Sequence, residues 1–439
     1  MKAPSFQSLL MVKEEDLCYN REAKKDHFLV NKKAKRQERI MKVGLFTDTY
    51  FPQTSGVATS IQTLKRELEK QGHQVYIFTT TDPESVEEEG VYRFESIPFI
   101  FFKERRVAVT TLWPVYRLAK KLDLDIIHTQ TEFSMGIMGV MAARKLQIPV
   151  VHTYHTWYEN YIHYILNGHL VSKAAVRAYT RFFCSLVQQV ISPSEMIKEV
   201  LTSYRITQPI TVIPTGVALP EPLEESRIQN LRERLGLGDD HLMLLSVNRI
   251  AQEKNLDTLI QWMPEVLHSV PKARLVLVGD GPEKESLEKL THSLGLDGEV
   301  QFTGMIPHEE VQAYYQAADL YCNLSVTETQ GITFIEALAN GLPLIAMKND
   351  YLLSLEKRAP FGRLLEHASD FPEAVADYAD HREDFCGNVE VLKREISQET
   401  FGQRILDLYQ RLIKEEKNQQ DSDDSSFLKK ISENIWPFS

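Results

Sequence analysis

Short apolar runs alternate with helical stretches through the first half of the chain. The runs at 43–47, 75–79, 125–128, 149–155, 189–192 and 210–216 have the length and composition of buried strands. The stretches between them carry apolar residues at helical spacing, as in 57–71, where Gly72 ends the pattern. This alternation predicts a doubly wound parallel α/β domain over residues 41–216.

The same alternation starts again after a linker. Residues 217–226, VALPEPLEES, are rich in Pro and Glu, as interdomain linkers often are. Apolar runs then recur in LMLLSVNRI, ARLVLVGDGP, EVQFTG, DLYCN and PLIAM, with helical patterns between them. We therefore predict a second domain over 217–398, so that two parallel-sheet, Rossmann-like α/β domains face a central cleft. A closing helix is expected over 399–418, followed by an acidic flexible tail, 419–439, with an apolar end.

Charge is distributed unevenly along the chain. Residues 1–40 hold 10 Lys and Arg against 6 acidic residues and lack an apolar period, which predicts a disordered extension or, alternatively, a basic membrane-binding arm. Residues 217–439 hold 22 basic against 39 acidic residues, which argues against nucleic acid as a partner. No apolar run approaches the roughly 20 residues that a membrane span requires. The four scattered cysteines are expected to be reduced thiols in a cytoplasmic protein.

The stretch 326–343, VTETQGITFIEALANGLP, has the strongest chemical signal. A Gly at the start of its helix leaves backbone N–H groups open, and with the helix dipole they form a ready anion site. Two carboxylates, Glu328 and Glu336, are eight residues apart and could accept hydrogen bonds from sugar or ribose hydroxyls. The alternative is that both acids are merely solvated.

Other candidates follow predicted strands, where open α/β sheets bind their ligands. Arg249 and Lys254 are five residues apart around a strand-to-helix turn, so both could contact one diphosphate or could be ordinary surface charges. Gly56 begins a helix, and Gly279 lies in the tight turn VGDGP. Asp123 and Asp125 precede a strand rather than follow one, so we expect a solvated turn there and no metal site.

Residues 152–161, HTYHTWYENY, place two histidines and an acid at a strand end. The two histidines, His152 and His155, could bind zinc with Glu159 nearby, but no further ligand is recognisable. A hydrogen bond from His155 to a sugar is the better functional hypothesis, and a structural histidine is the alternative.

The stretch 170–187, LVSKAAVRAYTRFFCSLV, predicts a basic amphipathic helix. Lys173, Arg177 and Arg181 recur every four residues among apolar side chains, a pattern typical of helices that lie on anionic membranes and also found in ordinary surface helices. The apolar tail with Trp436 and Phe438 is a second candidate for membrane contact.

Taken in order, several motifs resemble those of one enzyme family. GLFTDTYFPQTSGVATSI, HTYHTWYENY, Arg249 with Lys254, GDGP, FTG and the Glu328–Glu336 pair occur over 42–350 as in the retaining GT-B glycosyltransferases of family 4. TDTYFPQ and HTYHTWYENYIHY resemble, within that family, bacterial glucosyltransferases that act on diacylglycerol. The resemblance implies a UDP-sugar donor, UDP-glucose in particular, transfer with retained α configuration, and no strict need for a metal or other cofactor. It also implies a peripheral location on the inner face of the plasma membrane.

The resemblance also implies roles for individual residues. Arg249 and Lys254 would hold the diphosphate, Glu328 the sugar hydroxyls, Glu336 the ribose, and His155 would contact the sugar near its C6 hydroxyl. Further donor-binding residues would be Gly56, Gly279, Met305, Gln330, Gly331, Ile332 and Thr333. No carboxylate is obviously placed as a nucleophile, which favours same-face attack with the leaving phosphate taking the acceptor proton.

Other activities stay open on the sequence alone. The acceptor could be a monoglycosyl-diacylglycerol or a soluble glycan, and the added sugar could be galactose. A UDP-sugar 2-epimerase shares the two-domain architecture. A non-catalytic sugar-nucleotide binder is disfavoured because Arg249, Lys254, Glu328 and Glu336 are all present.

Overall fold

A computed structural model describes residues 39–53, 55–99, 102–159, 172–328, 330–385 and 389–435, without the side chains of 102–105, 308, 383–384, 389–390 and 420–435. The described residues from Lys42 onward form one compact unit. The predicted extension 1–40 lies almost wholly outside the described residues, as do Trp436 and Phe438.

The N-terminal half contains a seven-stranded sheet in which every neighbouring pair is parallel, in the order β3-β2-β1-β6-β7-β8-β9. Its strands are β1 Lys42–Phe46, β2 Gln74–Thr80, β3 Val91–Phe94, β6 Ile126–Thr129, β7 Val150–Thr153, β8 Gln189–Ser192 and β9 Ile210–Val212. An antiparallel hairpin stands apart, formed by β4 Ser96–Phe99 and β5 Phe102–Ala108. The helices are α1 Gly56–Lys70, α2 Leu112–Leu122, α3 Ser134–Leu146, α4 Lys173–Cys184 and α5 Glu195–Ser203.

The C-terminal half contains a second parallel sheet of six strands, ordered β12-β11-β10-β13-β14-β15. Its strands are β10 Leu242–Val247, β11 Ala273–Val278, β12 Val300–Gly304, β13 Leu320–Asn323, β14 Leu344–Met347 and β15 Gly362–Leu365. Its helices are α6 Glu225–Arg234, α7 Leu256–Gln261, α8 Met263–Ser269, α9 Lys284–Ser293, α10 His308–Ala317, α11 Ile332–Ala339, α12 Asp350–Glu356, α13 Phe371–Asp380, α14 Arg382–Phe385, α15 Val389–Ile396 and α16 Gln398–Ile435. The prediction of two doubly wound α/β domains is confirmed.

Both sheets are covered by helices, which explains why their strands are continuous apolar runs. Every residue of β6, β7, β8 and β13 is buried, as expected for parallel strands packed on both faces. Helix starts are fixed locally by capping side chains: the Ser55 hydroxyl accepts from Ala58 N at the start of α1, and Ser194 accepts from Ile197 N at the start of α5.

The chain crosses between the two halves twice, at neighbouring positions. Val217 N donates to Ile396 O at 2.8 Å, and Gln398 N donates to Val217 O at 2.8 Å. The helix α16 that follows packs on α1 of the N-terminal half, and its Tyr409 hydroxyl lies 2.5 Å from His128 Nδ1 in β6. It continues to Ile435, past the position where we expected helix to give way to a flexible tail.

Helices of the described residues are too short or too polar to cross a membrane.

Candidate active site

Three loops of the C-terminal half are joined where neighbouring strands β11, β10 and β13 end. Ser325 Oγ donates to Glu253 O at 2.9 Å, and Asn255 Nδ2 donates to Leu324 O at 3.1 Å. These bonds connect the loop after β10, which carries Arg249 and Lys254, to the loop after β13, which carries Glu328. The predicted residues of both loops are therefore parts of one site.

The turn VGDGP, residues 278–282, contacts the loop that carries Arg249. A Cβ on Gly279 would lie 1.9 Å from Asn248 O, and the residue has a φ of +135°, so the turn needs glycine there. Ile250 N donates to Asp280 O at 2.9 Å. Gly279 N itself donates to Gly304 O at 3.1 Å, so this predicted donor-binding residue shapes the loop beside Arg249. Met305, which directly follows β12, is 65% exposed.

The two cations of the site are each paired with a carboxylate. Lys254 Nζ lies 2.6 Å from Glu328 Oε1, with both side chains mostly buried. Arg249 Nη2 lies 2.9 Å from Glu253 Oε1, and the Arg249 side chain is 43% exposed. The Lys254–Glu328 pair brings together two residues that are far apart in sequence, and both were predicted to contact the donor.

Helix α11 begins in the midst of these groups. Gly331 is its N-cap, and no side chain of the described residues caps its first turn. The Tyr321 hydroxyl donates to Thr333 Oγ1 at 2.7 Å and so fixes that side chain. A Cβ on Gly56, at the start of α1, would lie 3.5 Å from Ile332 Cδ1. The starts of α1 and α11, one from each half, therefore face each other.

The side chain of Gln330 is bonded within the protein, whereas donor binding was predicted for this residue. Its amide bonds to the backbone of Thr215 in both directions, with Thr215 N to Oε1 at 2.9 Å and Nε2 to Thr215 O at 2.7 Å. Gln330 is 4% exposed. It joins the loop before α11 to the N-terminal half and holds Gly331 in place, and its amide is not turned toward a donor.

Glu336 is a half-buried carboxyl group within α11. Its Oε2 accepts from the Tyr315 hydroxyl at 2.8 Å. Burial raises the pKa of Glu336 to about 7, because a charged carboxylate is poorly solvated there, and the bond from Tyr315 offsets only part of this effect. The group is therefore poised to change its charge near neutral pH.

The N-terminal half contributes histidines at the ends of β6 and β7. His155 Nε2 lies 2.7 Å from Gln130 Oε1. Burial, with a smaller contribution from nearby His152, lowers the pKa of His155 to about 3, so its imidazole is neutral at physiological pH. A neutral imidazole suits hydrogen bonding to a sugar, as predicted for this residue.

His152 is fully buried and is not the exposed member of the pair. Its Nδ1 lies 3.0 Å from Thr129 O, and its Nε2 lies 3.1 Å from Glu132 Oε1. The Tyr158 hydroxyl donates to Glu132 Oε2 at 2.5 Å. Gln130 and Glu132 were missed by the sequence analysis, although the polar run TQTE directly after the predicted strand at 125–128 was a usable signal.

The predicted membrane helix corresponds to α4, and its basic residues differ in their contacts. Lys173 and Arg181 are exposed, as are Tyr179 (40%) and Phe182 (54%). Arg177 instead binds Glu159 through two bonds, Nε at 2.6 Å and an Nη at 3.1 Å. This bond lowers the pKa of Glu159, so the pair is charged and structural.

Within the described residues, no three His, Cys, Asp or Glu side chains are grouped so that they could hold a metal ion.

Comparison with known proteins agrees with this geometry. Residues 54–220 match the family model described as Glycosyltransferase Family 4, and residues 227–379 match Glycosyl transferases group 1. The alpha-monoglucosyldiacylglycerol synthase of Streptococcus pneumoniae is 44% identical over 379 residues, which cover 84% of this chain and 85% of that protein. The synthase of the same name from Acholeplasma laidlawii is 35% identical over 325 residues, covering 71% and 81%.

A solved structure shares the fold. The crystal structure of Anabaena HepE in complex with UDP-glucose superposes with a TM-score of 0.66 at 18% identity, covering 85% of this chain and all (100%) of that one. The two parallel sheets are thus arranged as in a GT-B transferase. With both family models matched in order and relatives of high identity over most of its length, the chain belongs to the family 4 glycosyltransferases.

Proposed function

We propose that the protein transfers glucose from UDP-glucose to diacylglycerol in a membrane and makes an α-glucosyl-diacylglycerol. The observation that carries this proposal is the 44% identity, over 84% of the chain, to a protein named alpha-monoglucosyldiacylglycerol synthase. The charged and polar groups of the site described above support it.

The diphosphate would lie between Arg249, Lys254 and the start of α11. Two cations and the N–H groups of Ile332 and Thr333 supply positive charge where the leaving UDP gains negative charge. Gly56 brings the start of α1 against the same place. This set of charges would stabilise the leaving group without a metal.

The carboxylates would bind the hydroxyls of the donor. Glu328 is held by Lys254 at 2.6 Å, so the diphosphate-binding lysine also positions the sugar-binding acid. Glu336, once ionised, would accept from the ribose. The acceptor hydroxyl then attacks on the face that the phosphate leaves, a C–O bond forms as the old one breaks, and the leaving phosphate oxygen takes the proton.

The acceptor would be reached from a membrane surface by the N-terminal half. Helix α4 presents Lys173, Arg181 and the exposed ring of Phe182, a combination suited to an anionic interface. On this proposal the protein works from the cytoplasmic side as a peripheral membrane enzyme.

The test combines purified protein, a panel of UDP-sugars and vesicles that contain diacylglycerol, with products identified by mass spectrometry and the anomeric configuration by NMR. We expect α-glucosyl-diacylglycerol from UDP-glucose. Glu328→Ala should lower turnover by about 100-fold or more, because it removes a contact to the reacting sugar. Glu366→Ala, which breaks the exposed Lys348–Glu366 pair of the same half, is the matched control and should keep the rate.

Three results would contradict the proposal. Transfer only to a glycosylated lipid or a soluble glycan would change the acceptor, and conversion of the donor without an acceptor would indicate an epimerase. A glycosyl adduct on Glu328 would replace same-face attack by a covalent mechanism.

A further inference from the structure

Gln130 lies directly after β6, the strand next to β1 in the centre of the N-terminal sheet. Its backbone N donates to Phe46 O at the end of β1, at 2.7 Å. The residue is 3% exposed. Its position is the carboxyl edge of the sheet, where β1, β6 and β7 end and where His155 follows.

Among the described residues, only one of the two polar atoms of the Gln130 side-chain amide has a hydrogen-bond partner. Its Oε1 accepts from His155 Nε2 at 2.7 Å, whereas its Nε2 has no hydrogen-bond partner among the described residues. Rotating the amide by half a turn leaves the same count, because one of its two polar atoms would still lack a partner. Buried donors without an acceptor are rare in folded proteins, and each asks for an explanation.

The neighbouring histidines show the contrast. Both ring nitrogens of His128 are bonded, to Tyr409 and Thr153, and both nitrogens of His152 are bonded, to Thr129 and Glu132. The ring nitrogens of these two histidines are therefore satisfied within the protein. The amide nitrogen of Gln130 differs from them, because it has no partner among the described residues.

We propose that Gln130 is a specificity residue for the donor sugar: its Nε2 donates to one hydroxyl oxygen of the hexose, while its Oε1 orients His155. This inference rests on the proposed function. A neutral amide suits a hydroxyl, whereas the phosphates are served by the cations of the C-terminal half. A buried amide that only a hydroxyl completes rejects sugars without that hydroxyl, because the amide then stays unpaired.

Gln130→Met tests the proposal, since Met has a similar length and neither donor nor acceptor. We compare kcat/KM for UDP-glucose with that for UDP-sugars lacking one hydroxyl each, including UDP-xylose, which lacks the hydroxymethyl group. The variant should lose roughly tenfold more on UDP-glucose than on the one analogue that lacks the recognised hydroxyl, because loss of the bond to His155 affects every donor alike. Its thermal midpoint should stay close to that of the wild type, because the change removes a buried donor that lacks an acceptor among the described residues and also removes the acceptor of His155 Nε2, and these two effects oppose each other.

Gln189→Met is the matched control. Gln189 is equally buried (2% exposed) at the opposite end of the same sheet, and both polar atoms of its amide are bonded: Nε2 donates to Pro209 O and Thr211 Oγ1, and Oε1 accepts from Arg411. This variant should unfold at a lower temperature and discriminate among the donors as the wild type does.

Two outcomes would overturn the inference. Equal losses on every donor, with a lower thermal midpoint, would make Gln130 a purely structural residue. An unchanged rate on every donor would exclude both of its proposed contacts. Binding of UDP alone separates this from the larger question: if UDP binds the wild type and only the sugar pattern fails, the proposed function survives, whereas absence of UDP binding removes it.

Discussion

Glu336 is a residue of the site whose protonation is expected to change near neutral pH. Its carboxyl group accepts a hydrogen bond from the Tyr315 hydroxyl, and burial raises its pKa to about 7. In its proposed role it accepts hydrogen bonds from the ribose, for which the ionised form is the better acceptor. Ligand binding and loss of the proton should therefore be linked.

We expect the affinity for UDP to rise as the pH increases through 7 and to level off above it. Below that pH the carboxyl group is protonated and binding has to expel the proton, which weakens the apparent affinity. Calorimetric titration of UDP between pH 5.5 and 8.5 measures this. Glu336→Gln is neutral at every pH, so its remaining pH dependence reports UDP itself. The prediction is wrong if the variant and the wild type give parallel curves.

The side-chain contacts of Gln330 could not be predicted from the residues next to it in sequence. It stands next to Gly331 in the motif, and the family resemblance implied a donor-binding residue there. In the structure its amide is hydrogen-bonded to the backbone of Thr215, which is 115 residues away in sequence. The His155–Gln130 bond likewise joins residues 25 apart. Pairings of this kind depend on how strands are ordered in a sheet, and local pattern carries no information on that order.

The strands and helices were predicted better than the side-chain pairings, because they follow from the periodicity of apolar residues. Runs that are buried on both faces are apolar throughout, so the central strands were predicted close to their observed bounds. The hairpin of β4 and β5 was missed because its second strand carries FKERRVA, a charged sequence. Helix α16 was predicted too short, since its acidic continuation lacks an apolar period and yet stays helical to Ile435.

The three basic residues of helix α4 are equally spaced in sequence, but their contacts differ. Arg177 is bound to Glu159, so a triple alanine variant would disturb the fold together with the surface. Lys173→Ala with Arg181→Ala changes the surface alone. We expect this double variant to bind vesicles rich in anionic lipid roughly tenfold more weakly in flotation assays, and to lose the salt dependence of binding.

Lys272→Ala with Lys289→Ala is the control for that experiment. It removes the same net charge from exposed sites of the C-terminal half and should float like the wild type. If both double variants bind equally well, helix α4 is an ordinary surface helix and another surface contacts the membrane.

For the whole molecule, the two chain crossings decide how the halves are connected. At Gly216 the backbone passes so close to the second crossing that a Cβ would lie 2.2 Å from Ser397 O and 2.8 Å from Gln398 Cα. Both obstacles are backbone atoms, so no rotamer change can relieve the contact. A side chain at this position has to push the two crossings apart.

Gly216→Ala should therefore lower the free energy of unfolding by about 2 kcal/mol, as overpacked sites do. Turnover should fall with it, because the transferred sugar has to meet groups of both halves, while the affinity for UDP changes little, since most residues proposed to hold it follow strands of one sheet. Gly298→Ala, where a Cβ meets nothing within 4 Å, is the control and should leave stability within about 0.5 kcal/mol. Thermal unfolding, UDP titration and turnover of both variants check this, and equal unfolding temperatures for Gly216→Ala and the wild type would show that the crossings can separate freely.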